Sequence, residues 1–391
     1  MINRLNTDNL NALMKQFPAV ALIGPRQCGK TTMAKLFKKN NKKNTVYFDL
    51  ESPLDRQKFY DPQLLLEDLE NDCVIIDEVQ RMPELFALLR YLIDRKKKPG
   101  RFLLLGSASP DLIKDASETL AGRIYYIDIA PFNLTELPQK NNTLQKHWYR
   151  GGFPDSFLAK NDTLQQNWIN GFVRTFIERD LNQLFGVNFS TDLMMRLWRM
   201  LAHHHGGIWN AHSFAKGLDV SPVTVNRYLD YLSGAFMVRK LPAYHFNSKK
   251  SLVKAPKVYI RDSGIVNYLL NINRVSDLKY HPAIGNLWEG YAIEQILELL
   301  PPTIQAYFYR THDGSEMDLV LVKGITPFVC IEIKNSSTPT ISRGLTESLL
   351  ELKTKHNYIV VPGNDVDYLL KKEIRVVSLT AFLAKYIKTI K

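Results

Sequence analysis

Residues 20–37 read "VALIGPRQCGKTTMAKLF". Val20 to Ile23 make a short apolar run of the kind that forms a buried strand. Gly24, four further residues, Gly29, Lys30 and Thr31 follow, which satisfies G-x-x-x-x-G-K-[ST]. Met33, Leu36 and Phe37 then give the next segment the apolar stripe of a helix. Strand, glycine-rich loop and helix in this order predict a phosphate-binding loop. The glycines let consecutive backbone N–H groups from Gly24, Pro25, Arg26, Gln27, Cys28 and Gly29 onward curl around an anion, proline supplying no N–H. The helix N-terminus adds its positive dipole end. Lys30 is expected to reach the β- and γ-phosphates of ATP, Thr31 to ligate Mg²⁺, and Thr32 to stand in the first helical turn beside them.

Such a loop calls for a second strand that ends in an acid. "DCVIIDEVQ" (72–80) supplies it: Asp77 is the expected Mg²⁺ partner and Glu78 the residue that polarises the attacking water. A third strand, "RFLLLGSAS" (101–109), ends in Ser107 and Ser109. Ligands of parallel sheets sit at the carboxyl ends of the strands, so Ser107 is expected to contact the γ-phosphate. "LAGRIYYIDI" (120–129) places Arg123 as a cation for the same phosphate, from its own chain or a neighbouring copy in a homo-oligomer.

The net charge is +12, and its placement says more than its size. Residues 196–260 hold ten Lys or Arg against Asp219 and Asp230, so this stretch alone carries 10 − 2 = +8. A basic concentration of this kind suits an anionic partner, with DNA the expected one. In the same stretch "NAHSFAKGLD" (210–219) and "VSPVTVNRYLDYL" (220–232) read as two helices joined by a short turn, with Ser221 as cap and Pro222 at the first helical position. "FMVRKLPAY" (236–244) and "KVYIR" (257–261) supply strands for a wing. A winged helix-turn-helix is expected, with Thr224, Asn226 and Arg227 toward the groove and Lys249, Lys250, Lys254 and Lys257 toward phosphates. "HHH" (203–205) reads as a helix end with solvated imidazoles, because neighbouring residues on a helix diverge and cannot share one ion.

Near the C-terminus "GNLWEGYAIEQILELL" (285–300) is an amphipathic helix that carries Glu289. It is followed by strands "QAYFYR" (305–310), "EMDLVLVKG" (316–324) and "FVCIEIKN" (328–335), a helix over 341–353, and two more strands. Residues two apart on a strand share a face, so Glu332 and Lys334 point the same way. Asp318 lies across the hairpin from them. Two carboxylates on one face are expected to suit a hard cation such as Mg²⁺.

"GPRQCGKTT", "IIDEVQRMPEL", "LLLGSAS", "LAGR", "GGFP" (151–154) and "FIERDL" (176–181) resemble the prokaryotic AAA-type ATPases that carry a C-terminal region called DUF4143. The resemblance covers nearly the whole chain. It implies an α/β AAA-type P-loop ATPase core over 1–140, a helical lid over 141–195, a winged helix-turn-helix over 196–280, and over 281–391 an α/β domain. That last domain resembles the PD-(D/E)xK, restriction-endonuclease-like nucleases. In such a core Asp318, Glu332 and Glu289 would hold metal and Lys334 would orient water. Met317 stands where the nuclease pattern has proline. Cys28 replaces the usual small residue of the loop and is small enough to fit.

Three widely spaced cysteines exclude a disulfide framework, and "MINRLNTDNL" has no apolar core of a secretion signal. No run of 18 apolar residues exists for a membrane span, so a cytoplasmic protein is expected. Two functions fit. One is an ATP hydrolase that acts on DNA, with a metal-dependent nuclease domain. The other is an ATP-dependent protein-binding switch whose last domain is a non-catalytic docking scaffold.

Overall fold

The computed structural model describes residues 2–108, 120–245, 252–336 and 338–390. The chain forms two compact units. The first comprises Met1–Phe132, Arg174–Phe189 and Asp230–Met237, and the second Asn133–Val173, Ser190–Leu229 and Val238–Lys391.

The first unit is built on five strands: β1 (Ala19–Ile23), β2 (Thr45–Asp49), β3 (Cys73–Asp77), β4 (Phe102–Gly106) and β5 (Ile124–Asp128). They form one parallel sheet in the order β2-β3-β4-β1-β5. The central strands β1, β3 and β4 are buried at every position, and nearly all their residues are apolar, because both faces are covered, as parallel sheets require. Ala19, Ala21, Ile23, Val74, Ile76 and Leu104 face one core. Val20, Leu22, Cys73, Ile75, Leu103 and Leu105 face the other, where Met33, Ala34 and Phe37 of the helix Lys30–Asn40 pack on them. The strand β2 has the β-branched and aromatic run "TVYFD", a strand signal that no motif flags.

The helices Thr191–His203 and Ala211–Leu218 and the start of Pro222–Gly234 belong to the second unit. With them goes a small antiparallel sheet. It consists of β6 (Gly207–Ile208), β7 (Val238–Leu241) and β8 (Lys257–Ile260), with β8 in the middle. Ser221 caps its helix as expected, its Oγ accepting from the Thr224 N–H at 3.1 Å. The short turn before it is closed by Asp219 at φ +56°. Lys249 and Lys250 lie outside the described residues.

The C-terminal sheet has six strands: β9 (Ile304–Arg310), β10 (Glu316–Lys323), β11 (Thr326–Ile333), β12 (His356–Val361), β13 (Asp367–Lys371) and β14 (Ile374–Ser378). Their order is β13-β14-β12-β11-β10-β9. The first three strands form an antiparallel meander, and β12 runs parallel to β11 and to β14. The helix Ile284–Leu297 precedes the meander and the helix Arg343–Leu352 connects β11 to β12. The edge strand β13 escapes a pattern reading because its residues are mostly exposed and do not alternate.

The stretch 141–195, expected as a helical lid, is divided between the two units. Residues 133–173 join the second unit, and only 174–189 join the first. In the second unit Arg150, Gly151 and Gly152 pack on the N-terminus of the helix Ser263–Leu269. There Asp262 accepts from the N–H groups of Gly152 at 2.8 Å and Ile265 at 3.0 Å. A Cβ on Gly151 would lie 2.2 Å from the Asp262 carboxylate, which explains glycine at that place.

Candidate functional site

Two clusters of polar side chains stand out, one in each unit. The first follows from the sheet order. Strand β4 lies between β1 and β3, so the loop after Ile23, the acid at the end of β3 and the serine after β4 share one edge. The loop is anchored to that edge by the Gly24 N–H, which donates to the Gly106 carbonyl at 3.2 Å. A Cβ on Gly24 would fall 2.0 Å from the Ile129 carbonyl oxygen, so only glycine passes there. Gly29 turns into the helix at φ +102°, in the left-handed region that favours glycine.

Within this edge Lys30 Nζ donates to the carbonyls of Gly24 at 2.8 Å and Pro25 at 2.7 Å. The Thr31 hydroxyl donates to Asp77 Oδ2 at 2.7 Å. The Tyr47 hydroxyl donates to the same oxygen at 2.7 Å, and burial, followed by this bond and the Asp77 charge, pushes the phenol well above its usual range. The other Asp77 oxygen accepts the Glu78 N–H at 2.9 Å. Glu78 sits at φ +56°, a conformation that turns its side chain off the strand path. Its Oε2 accepts from the Ser107 hydroxyl at 2.8 Å and from the Gln80 amide, which also donates to Ser107 Oγ at 2.9 Å. Thr31 and Asp77 therefore already meet as an oxygen pair suited to Mg²⁺, and Glu78 and Ser107 meet beside them.

Arg26 projects from the loop to Asp180, with Nη1 donating to Oδ1 at 2.5 Å, and its other nitrogen pairs with Glu51. Asp180 comes from "FIERDL", whose charged residues read in sequence as a solvated helix face. It lies in a wide π-helical turn, Phe176–Asp180, whose geometry aims the acid inward. Burial lowers the Arg26 pKa, but Asp180, Glu78 and Glu51 outweigh it and the net shift is upward. Cys28 is buried and its thiol donates to the Ile129 carbonyl at 3.3 Å, so it packs the loop. Thr32 is exposed on the first turn of the helix.

Arg123 departs from its expected place as a phosphate contact in the same chain. It precedes β5, and its carbonyl accepts from Ala19 N–H at the start of β1, the sheet edge opposite the loop. Its guanidinium pairs bidentately with Asp94, at 2.6 and 2.8 Å. A residue ahead of a parallel strand points to the wrong end of the sheet, which the sequence position alone already states.

The second cluster surrounds β10 and β11. The register places Asp318 one step past the Leu319–Ile331 pair, opposite Glu332 and on the same face. A register irregularity in the β9–β10 pairing between Met317 and Val320 brackets Asp318. Asp318 Oδ2 accepts the Ile333 N–H at 2.8 Å. Lys334 Nζ pairs with Glu332 Oε1 at 2.5 Å, while Glu332 Oε2 is buried without a hydrogen-bond partner. Burial, and then the neighbouring Asp318 charge, push the Glu332 carboxyl up to about 8 and the Glu289 carboxyl up to about 7. Asp318, Glu332 and Lys334 thus meet, Asp318 opposite Glu332 and Lys334 paired with it.

Lys257, expected on a wing facing phosphate, is instead 3% exposed. Its Nζ lies 2.6 Å from Glu316 Oε1, 2.9 Å from Glu289 Oε1 and 3.6 Å from Asp318 Oδ1. Burial lowers its pKa, yet Glu289, Asp318 and Glu316 more than reverse this and hold it charged. Tyr259, two residues along β8, donates its hydroxyl to Glu289 Oε1 at 2.5 Å. The signal for both is present in "KVYI": Lys257 and Tyr259 alternate with apolar residues just as Glu332 and Lys334 do. Among the described residues no three acidic, histidine or cysteine side chains are grouped as a metal site. The orphaned Glu332 oxygen fits a cation nonetheless.

The histidine run is also corrected at one position. His205 is 2% exposed, accepts the Ile260 N–H at 3.2 Å, and burial lowers its pKa to about 4. It lies against Gly290, where a Cβ would sit 2.1 Å from its Nε2. The helix bearing Glu289 packs there, so the third imidazole is core. Of the expected DNA contacts, Asn226, Arg227 and Lys254 are exposed. Asn226 Oδ1 accepts from the Trp209 indole at 2.8 Å, and the Thr224 hydroxyl pairs with Ser221 at 3.0 Å.

The sheet order and the loop define a P-loop domain of the AAA type, and residues 16–138 match the AAA domain family. Residues 141–276 match a domain of unknown function, DUF8612, and residues 284–382 match a second, DUF4143. The chain is 42% identical over 354 residues to an uncharacterized protein of Mycobacterium tuberculosis, spanning 90% of this chain and 78% of that protein. An uncharacterized protein of Mycobacterium bovis matches to the same extent. One from Haemophilus influenzae is 23% identical over 353 residues, 82% of this chain and 81% of that protein. Among solved structures a Walker-type ATPase of Pyrococcus abyssi aligns with a TM-score of 0.43 and 15% identity, over 69% of this chain and 96% of that one. The chain belongs to the family of AAA-type P-loop ATPases that carry a C-terminal DUF4143 domain. The match over 141–276 runs across residue 195. No described helix is long and apolar enough to cross a membrane.

Proposed function

We propose that the protein binds and hydrolyses ATP and that it acts on DNA. The observation that carries the first half is the meeting of Lys30, Thr31, Asp77, Glu78 and Ser107 at one sheet edge. Lys30 exchanges its two carbonyl partners for phosphate oxygens, and Thr31 and Asp77 would hold Mg²⁺. That ion supplies charge neutralisation of the phosphates when bound. Glu78 orients and polarises water, with Ser107 placed to pass from Glu78 to the γ-phosphate. Arg26 and Gln80 hold the loop and the acid in position.

The second half rests on the basic stretch 196–260, its helix–turn–helix pair with a three-stranded sheet, and exposed Arg227 and Lys254. For the C-terminal domain, the order helix, β9, β10, β11, helix, β12 and the convergence of Asp318, Glu332 and Lys334 support a nuclease-like core. There Asp318, Glu332 and Glu289 would hold a divalent metal. One observation favours the second reading, a nucleotide-dependent switch with a non-cleaving scaffold: the Lys257 ammonium already stands among the carboxylates.

The test is phosphate release and plasmid cleavage by the full chain, with and without DNA, ATP and Mg²⁺. ATP turnover stimulated by duplex, and cleavage lost in Asp318→Ala, are expected. ATP turnover without any salt-dependent DNA retention supports the switch. Absence of ATP turnover overturns the first half.

A further inference from the structure

Lys257 comes from β8, outside the stretch 284–382 that supplies the carboxylates around it. Its aliphatic stem is buried and its ammonium lies 5.6 Å from the centroid of the Phe308 ring. An ammonium has three N–H donors and no acceptor, and here it faces three carboxylates, of Glu316, Glu289 and Asp318. That is the coordination demand of a hard cation, met by a side chain. Glu332 stands opposite Asp318 in the register of β10 and β11, and its Oε2 atom is buried and lacks a hydrogen-bond partner. The centre therefore has Lys257 held among Glu316, Glu289 and Asp318, Lys334 on one oxygen of Glu332, and the other Glu332 oxygen unsatisfied.

We infer that Lys257 is the resident cation of this centre, and that a divalent metal joins Glu289, Asp318 and Glu332 only in exchange for its ammonium. This rests on the metal-binding reading of the C-terminal domain. The like charges of Glu289 and Asp318 need a counter-charge, and two cations cannot both stand between them. Metal affinity then includes the work of withdrawing Lys257, so β8 sets whether the centre is loaded. Tyr259, on the same face of β8, releases Glu289 in the same movement.

The experiment is Mn²⁺ binding to the full chain without nucleotide, read by Mn²⁺ paramagnetic resonance and by the thermal midpoint. Wild type, Lys257→Met and Lys257→Met with Asp318→Asn are compared, each purified with and without Mn²⁺. The expected result is at least tenfold tighter one-to-one binding in Lys257→Met, a midpoint that Mn²⁺ raises in that variant, and loss of both in the double variant. A Lys257→Met chain that folds only with Mn²⁺ also supports exchange. Equal affinity in wild type and Lys257→Met, no binding in Lys257→Met, or a variant that folds in neither buffer overturns it. Plasmid cleavage separates the two claims. Tight Mn²⁺ binding by Lys257→Met without cleavage upholds the exchange and removes the nuclease reading. Cleavage by wild type with Mn²⁺ affinity equal to Lys257→Met upholds the nuclease reading and removes the exchange.

Discussion

Replacing Asp180 by alanine should loosen the phosphate-binding loop from a distance of more than 150 residues in sequence. The side chains of Arg26 and Asp180 are 12% and 4% exposed, and their charged atoms lie 2.5 Å apart. Removing one partner of a buried pair costs about 3–5 kcal/mol, chiefly because the remaining charge is stranded. Arg26 keeps Glu51, but that carboxylate is 43% exposed and such a pair is worth about 0–1 kcal/mol. The expected loss is therefore near the lower figure, about 3 kcal/mol. At 1.4 kcal/mol per tenfold change, a loop held in its binding form by this pair would lose roughly 10²-fold in ATP affinity. Fluorescent-nucleotide titration measures that affinity. Urea unfolding of Arg26→Ala, Asp180→Ala and the double variant measures the coupling, expected at about 2 kcal/mol or more. Asp180→Asn should fall between, since it keeps a hydrogen bond and loses the charge. An Asp180→Ala chain with ATP affinity within twofold of wild type, and additive single effects, would refute the reasoning.

Glu78→Gln should keep ATP binding and lower the turnover by about 10²-fold or more, the usual worth of a general-base contribution, as read by phosphate release against nucleotide titration. Ser107→Ala should act on turnover in the same direction and more weakly, because Gln80 still holds Glu78. Burial raises the Asp262 carboxyl to about 6, against backbone N–H groups that pull it down. Its folded value thus exceeds its unfolded one, so its stability contribution is fully present below about pH 4 and is lost as pH rises through about 6. A carboxyl at about 6 instead of its ordinary value near 4 is worth roughly 3 kcal/mol at most. The cost of Asp262→Asn in chemical unfolding should accordingly be smaller at pH 7.5 than at pH 4.5. Arg227→Ala and Lys254→Ala should each weaken retention on duplex DNA and flatten the dependence of log affinity on log salt by about one, measured by fluorescence anisotropy.

What the sequence disclosed follows the range of each interaction. The nucleotide edge is legible because its chemistry is local: Gly24 to Thr32 are contiguous, and Asp77 and Ser107 announce themselves by ending apolar runs. The partners that hold these residues come from elsewhere. Nothing in "TVYFD" says that Tyr47 will donate to Asp77, since that depends on β2 lying beside β3. Asp180 resembles a surface acid because a π-turn cannot be seen in helical periodicity. Arg123 is misplaced by proximity to a motif, which ignores the end of the strand it occupies. Charge counting fails at Lys257 for a general reason: a sum over residues treats every lysine as solvated, and one buried among Glu289, Glu316 and Asp318 contributes nothing to an outer basic face. His205 shows the same blindness, as three identical neighbours end in different environments. Asp318, Glu332 and Lys334 are legible because strand alternation and a hairpin fix their neighbours by arithmetic.

The first unit is drawn from three stretches of chain, and this has a consequence for its synthesis. The strands that carry the nucleotide edge are complete by residue 128, yet Asp180 and Phe236, which belong to the same unit, emerge from the ribosome long afterwards. Until Phe236 arrives, the core beneath β1, β3 and β4 lacks a large side chain, and Arg26 lacks its buried partner until Asp180 does. A chain cut near residue 140 is thus a sheet with a gap and an unpinned loop, although every nucleotide-binding motif is present in it. ATP offered to nascent chains should be captured only after about 240 residues have cleared the exit tunnel, so that translation of the helices Ala211–Leu218 and Pro222–Gly234 precedes nucleotide loading.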